Sequence, residues 1–141
     1  PFKGEVFDTI FGSAVIHHFP NTEKGVSEIY RVLCRDGVYL GINETATNTI
    51  FKLFSGSRIW HVRERAKKRG ITEKVIGWTE WMELFHNSGF KKVYINLERN
   101  PKYKFGATSW FIPLYYKLIS QLPEFLVRHF LASNISIVAH K

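Results

Sequence analysis

Two short apolar runs, "FDTIFGS" at residues 7–13 and "VYLGIN" at residues 38–43, stand one helix apart, and that spacing constrains the fold more than any other feature. Each is rich in aromatic and β-branched residues and ends in small or polar ones, as a buried strand of a parallel sheet does. Between them Asn21 or Thr22 offers a helix cap, and Val26, Ile29, Tyr30 and Leu33 recur at helical spacing to give one apolar face. "CRDG" then supplies a turn with Gly37 as the stop. Strand, helix and strand in this order imply a right-handed parallel crossover. In such a sheet ligands lie beyond the carboxyl ends of the strands, so residues 13–18 and 43–45 are expected to flank one crevice.

A length of 141 residues suits one ordinary domain, and 45% hydrophobic with 16% aromatic content fits a globular chain and excludes a disordered one. The longest apolar run, "WFIPLYY" at residues 110–116, is far short of the roughly 20 residues a spanning helix needs, and Pro113 interrupts it. The start, "PFKGEVFD", has neither a secretory core nor an initiator methionine and reads as a cut. A lone cysteine, Cys34, forms no internal disulfide and no metal-binding pair, which points to a reducing cytoplasm. It reads as a small buried hydrophobe on a helix. The net charge of +8 favours an anionic contact, but it concentrates in "RERAKKRG", residues 63–70, without the interleaved aromatics of a base-stacking surface. A solvated helix end is the plainer reading of that stretch.

Further along, Ile50, Phe51, Phe54, Ile59, Trp60 and Val62 suggest helix broken near Gly56, so that residues 46–76 form a candidate lid. Thr79 is a candidate cap for a helix whose apolar stripe is Trp81, Leu84 and Phe85 and whose end is Gly89. "FKKVYINLE" alternates as a third strand, and "ISIVAHK" closes the chain as a fourth. Residues 100–132 form an insertion before that last strand, a loop followed by two apolar helical pieces split at Pro123.

The block "FDTIFGSAVIHHFPNTEKGVSEIYRVLCRDGVYLGINE", residues 7–44, resembles the fourth strand, following helix and fifth strand of class I S-adenosylmethionine-dependent methyltransferases of the type 11 kind. The likeness is carried by Asp8 opening the strand, the "HHFPN" turn, the "EIYRVL" helix and the "RDGVYL" entry to the next strand. "GWTEWMELFHNSGFKKVYI", residues 77–95, is similar to the helix and strand that follow in that family. The resemblance implies an α/β fold, a Rossmann-like methyltransferase half-sheet made of family strands 4, 5, 6 and 7 lying side by side, with the last two antiparallel. The family's glycine-rich loop and the acidic residue that holds the donor ribose have no counterpart here, since no Gly-x-Gly pattern occurs. Residues 1–141 therefore look like the C-terminal part of one such domain, with the edge of residues 7–13 left open. An open apolar edge is a template for another chain, so the chain alone is expected to dimerise, swap or aggregate unless the missing half is supplied, a homodimer through that edge being one such outcome.

What the resemblance implies for chemistry is methyl transfer from S-adenosylmethionine to a small-molecule or lipid-type acceptor. Two alternatives stand beside it: a non-catalytic half-domain that binds a partner through its open edge, and a fragment of an RNA methyltransferase. Gly12, Ser13 and Ala14 match the place where the family's strand tip approaches the methionine end of the donor, with His18 nearby. Small residues make sense there, because a bulky Cβ holds a ligand off the backbone; a tightly packed strand end explains them equally well. His17 and His18 follow the tip, and an imidazole suits removal of an acceptor proton near neutrality, with His18 the preferred base. The plainer reading makes one a cap and the other a half-exposed loop residue. Glu44 is expected to face the acceptor or to pair with a rim lysine, and Trp60 is a candidate acceptor contact. His61, His86, His129 and His140 have no metal-ligand spacing with each other or with Cys34, so no metal is expected. The apolar residues 110–132 pack on the sheet or, in a functional version, touch a membrane surface or cover a lipid-type acceptor.

Overall fold

The computed structural model describes residues 2–47, 64, 67–68, 70, 72, 74–98, 114, 117–118, 120–130 and 133–141. The elements are β1 (Phe7–Ser13), a 3-10 turn (Ile16–His18), α1 (Thr22–Val32), β2 (Leu33–Thr47), β3 (Ile76–Gly77), α2 (Trp78–Asn87), β4 (Lys92–Leu97), α3 (Glu124–Phe130) and β5 (Ser133–His140). They form one five-stranded sheet in the order β1-β2-β5-β4, with the short β3 pairing β2. β1 and β2 run parallel, whereas β5 is antiparallel to both β2 and β4. The expected crossover is therefore present, and the four main strands do lie side by side with the last two antiparallel.

Local chemistry explains the boundaries. Asn21 caps α1, its side chain accepting from the Lys24 N–H at 2.8 Å. α2 is capped at Gly77 and not at Thr79: the Glu80 carboxylate reaches back to accept from the Gly77 N–H at 2.6 Å, one half of a capping box that needs no hydroxyl. Pro123 precedes α3, and its carbonyl accepts from the Leu126 and Val127 N–H groups. The turn after α1 was expected at Gly37, but the left-handed residue there is Asp36, at φ 63°. Gly37 is instead fixed by crowding, because a Cβ would stand 2.9 Å from the Cys34 carbonyl and 3.2 Å from that of Asp8. β2 begins at Leu33, earlier than the apolar run implied, and this places Cys34 on a strand and leaves it half-buried.

The core lies on one face of the sheet. Tyr39 and Ala46 of β2, Ile95 of β4, and Ile135, Ile137 and Ala139 of β5 pack with Ile16, Val26 of α1 and Trp81, Leu84 and Phe85 of α2. The stripe read from the sequence of α2 is thus its buried face. On β1, by contrast, only Gly12 is fully buried and Phe11 is 61% exposed. The expected buried strand is an edge strand, because no described strand pairs its other side. Most of the 46–76 lid, with Gly56 and Trp60, half of the 63–70 basic stretch, and most of residues 100–132, with Trp110, lie outside the described residues. No described helix is long and apolar enough to cross a membrane.

Candidate functional site

The parallel pairing brings the ends of β1 and β2 to the same edge, with Gly12 opposite Gly41 and Ser13 opposite Ile42. Beyond Ser13 the chain turns at Ala14, whose φ of 50° is in the left-handed region, and the Ala14 N–H donates to the Ile42 carbonyl at 2.9 Å. Asn43, left-handed at φ 58°, donates its side-chain amide to Ser13 Oγ at 3.0 Å. Its backbone N–H donates to Glu98 Oε1 at 3.1 Å, just past β4. The two segments expected to flank one crevice therefore touch directly. Ser13 is exposed at its tip and Gly12 lies behind it, where a Cβ would meet the Tyr39 hydroxyl at 2.6 Å and Val15 Cγ1 at 2.9 Å. The need for glycine comes from the core side of the strand.

Glu44 departs most from expectation. It was expected to face an acceptor or a rim lysine, yet it is 0% exposed and both carboxylate oxygens are engaged within the fold. Oε1 accepts from the Val15 N–H at 2.8 Å and from the Ile16 N–H at 2.9 Å, while Oε2 lies 2.5 Å from His17 Nδ1. The cause is a bulge. Gly41 pairs Ile137 and Glu44 pairs Ile135, so three steps along β2 match two along β5. The extra residue puts Glu44 and Ala46 on the same buried face as Tyr39. Burial pushes the Glu44 carboxyl upward, but hydrogen bonds from His17, Ile16 and Val15 outweigh it and hold the carboxyl below its usual range.

The histidines follow from this clamp. His17 is 5% exposed, and its ring lies 4.0 Å, centroid to centroid, from that of His18. His18 is half-buried, and its Nδ1 donates to the Thr72 carbonyl at 2.8 Å. The Lys74 N–H donates to the His17 carbonyl at 3.0 Å, so the segment entering β3 is strapped across the histidine turn. Sequence reasoning placed Asn43 at the crevice but missed its hydrogen bond to Ser13, and it missed this strap altogether, because both act through contacts of long sequence separation. His86 Nδ1 donates to the Phe90 carbonyl at 3.2 Å and belongs to the end of α2. Among the described residues no group of His, Cys, Asp or Glu is arranged to hold a metal ion. The Tyr39 hydroxyl is buried without a hydrogen-bond partner, and burial pushes its pKa up.

A sheet ordered β1-β2-β5-β4, with a parallel crossover and an antiparallel end, is the fold shared with S-adenosylmethionine-dependent methyltransferases of known structure. An S-adenosylmethionine-dependent methyltransferase of Thermotoga maritima matches all of this chain over 59% of its own length, at 16% identity and a TM-score of 0.55. One from Archaeoglobus fulgidus matches 99% of this chain over 61% of its own, at 14% identity and a TM-score of 0.57. Phosphoethanolamine N-methyltransferase 2 of Haemonchus contortus, bound to phosphomonomethylethanolamine and S-adenosylhomocysteine, matches all of this chain over 35% of its own, at 15% identity and a TM-score of 0.58. The chain thus spans about three fifths of the length of the first two relatives. In sequence, the model of the methyltransferase domain family matches residues 1–41, which hold β1, the histidine turn, α1 and the start of β2. No curated protein matches the chain in sequence.

Proposed function

We propose that the protein takes part in methyl transfer from S-adenosylmethionine to a small-molecule or lipid-type acceptor, and that this chain builds one wall of the donor site. The observation that supports this most is the strand-tip geometry: exposed Ser13 and left-handed Ala14 stand at the carboxyl end of β1, hydrogen-bonded across to Ile42 and Asn43. Backbone at such a tip, backed by Gly12 and free of bulky side chains, fits the methionine end of the donor. The glycine-rich wall and the ribose-holding acid have no counterpart in this sequence. Bound there, the donor supplies an electrophilic methyl group on a sulfonium. The protein's own tasks are to align the acceptor and to accept its proton.

His18 suits the second task. Its Nδ1 donates to the Thr72 carbonyl, so in the neutral imidazole the lone pair resides on Nε2. Glu44, with both oxygens engaged, is not assigned to the acceptor, and Trp60 keeps that role only as a sequence-based proposal. Titration calorimetry of the full-length protein with S-adenosylhomocysteine tests the reading. Saturable binding that weakens when Ser13 is replaced by a bulky residue is the expected result, and no binding overturns it.

A second reading is favoured by a specific surface. A groove of about 770 Å³ runs between β1 and α1, lined by Phe7, Ile10, Phe19, Ile29 and Val32 and rimmed by Lys24, Glu28 and Arg31. Apolar lining beside an edge strand whose other side no described strand pairs suits another polypeptide more than a small polar ligand. In that reading the chain binds a partner, a second copy included, through its open edge. A variant that blocks this edge while leaving donor binding intact separates the two roles.

A further inference from the structure

We propose that Glu44 is a positioning residue of the donor site, whose buried carboxylate sets the shape of the 14–18 turn and thereby the placement of the β1 tip and of His18. The proposal rests on the donor-site reading given above.

A three-residue 3-10 turn makes too few internal hydrogen bonds to hold itself. Its opening N–H groups, at Val15 and Ile16, are satisfied by a side chain 28 and 29 residues away on the neighbouring strand. A buried carboxylate is costly unless its oxygens are all hydrogen-bonded, and here three donors converge on it. A cap from within the turn would do the same local work at lower cost. What the distant carboxylate adds is registry: the turn is referred to β2 and cannot shift without moving that strand. The bulge at residues 42–43 delivers Glu44 to this face and, through Asn43, also ties Ser13.

The clamp continues into the rings. Because a carboxylate oxygen only accepts, His17 Nδ1 carries the proton, and the ring is held in one orientation. The His18 ring rests against it at 4.0 Å and is held from the other direction by the Thr72 carbonyl. Glu44 therefore acts on His18 through His17 without touching substrate.

Two variants of the full-length protein test this by nitrogen-15 NMR of the imidazoles and by calorimetry with S-adenosylhomocysteine. In Glu44→Gln the amide oxygen still accepts from Val15 and Ile16, but the amide NH₂ donates to His17 Nδ1. The His17 proton should then move to Nε2 while donor affinity stays within about threefold of wild type, since the turn keeps its shape. Glu44→Ala, if folded by circular dichroism, should lower donor affinity roughly 10- to 100-fold, because loss of the clamp lets the tip drift by a fraction of an ångström or more. A folded Glu44→Ala protein that binds like wild type overturns the proposal. So does a Glu44→Gln protein whose His17 keeps its proton on Nδ1, which decides the matter should the alanine variant not fold. Failure of the wild type itself to bind overturns the donor reading instead, so the two failures are distinguishable.

Discussion

At Gly12 one hydrogen atom stands where any other residue would place a carbon 2.6 Å from the Tyr39 hydroxyl and 2.9 Å from Val15 Cγ1. Overpacking of that kind costs about 1–3 kcal/mol, so Gly12→Ala should lower the stability read by chemical denaturation by that amount. Tyr39→Phe removes the obstructing oxygen and also a buried hydroxyl with no partner, so by itself it should be neutral or stabilising. The double variant should be more stable than the sum of the single effects predicts, and strict additivity would show that the two positions do not touch. The small residues of this tip were legible in the sequence, but the reason for one of them was not. Periodicity shows that Gly12 ends a strand; it does not show that a tyrosine on the neighbouring strand points at it. The same limit applied to Glu44. A strand alternates with period two, and on that rule Glu44 shares a face with Leu40 and Ile42, away from Tyr39. The bulge reverses the rule, and nothing in "GINET" announces an extra residue except an asparagine that tolerates a left-handed backbone.

Among the elements, α1 and the histidine turn carry the clearest energetic signatures. Asn21→Ala should destabilise the protein by about 1 kcal/mol through loss of the cap to Lys24, and Asn21→Asp should restore most of it. The turn adds a pH dependence whose sign follows from the Glu44 carboxyl being held below its ordinary value of 4.5. A carboxyl depressed on folding contributes stability that is fully present above its unfolded pKa and is lost as pH falls through its folded value. Denaturation midpoints should therefore hold above that ordinary value and drop below it, and Glu44→Gln should flatten the acid limb. An unchanged limb would mean that other carboxylates dominate it. Element type was legible wherever periodicity ran long, as in α2, whose Trp81, Leu84 and Phe85 stripe is the buried one. Caps were less so: Asn21 acts through its own side chain, but Gly77 is a cap only because Glu80 reaches back to it. The strap formed by Thr72 and Lys74 was invisible, since backbone groups carry it and a sequence does not display them.

For the whole molecule, the decisive asymmetry is between the two faces and the two edges of the sheet. One face is sealed by α1 and α2, while Phe11 of β1 and Tyr94 of β4 are 61% and 53% exposed. The order β1-β2-β5-β4 follows from connection rules only once the family resemblance supplies the antiparallel return; the crossover rule reaches no further than β1 and β2. An edge strand whose other side no described strand pairs, beside an apolar groove, should recruit a second strand. Sedimentation velocity of the 141-residue chain at rising concentration should show a dimer growing with concentration. Phe11→Lys places a charge on the edge strand, which disfavours strand addition, and should return the chain to monomer without loss of secondary structure. The groove's own apolar wall gives an independent check: Ile29→Glu, on α1, should also weaken the dimer if the partner seats against the helix as well as the strand, and should leave it unchanged if only the strand edge pairs. A wild-type chain that stays monomeric at every concentration would mean that the fold tolerates this edge in water, and the partner-binding reading would lose its physical basis.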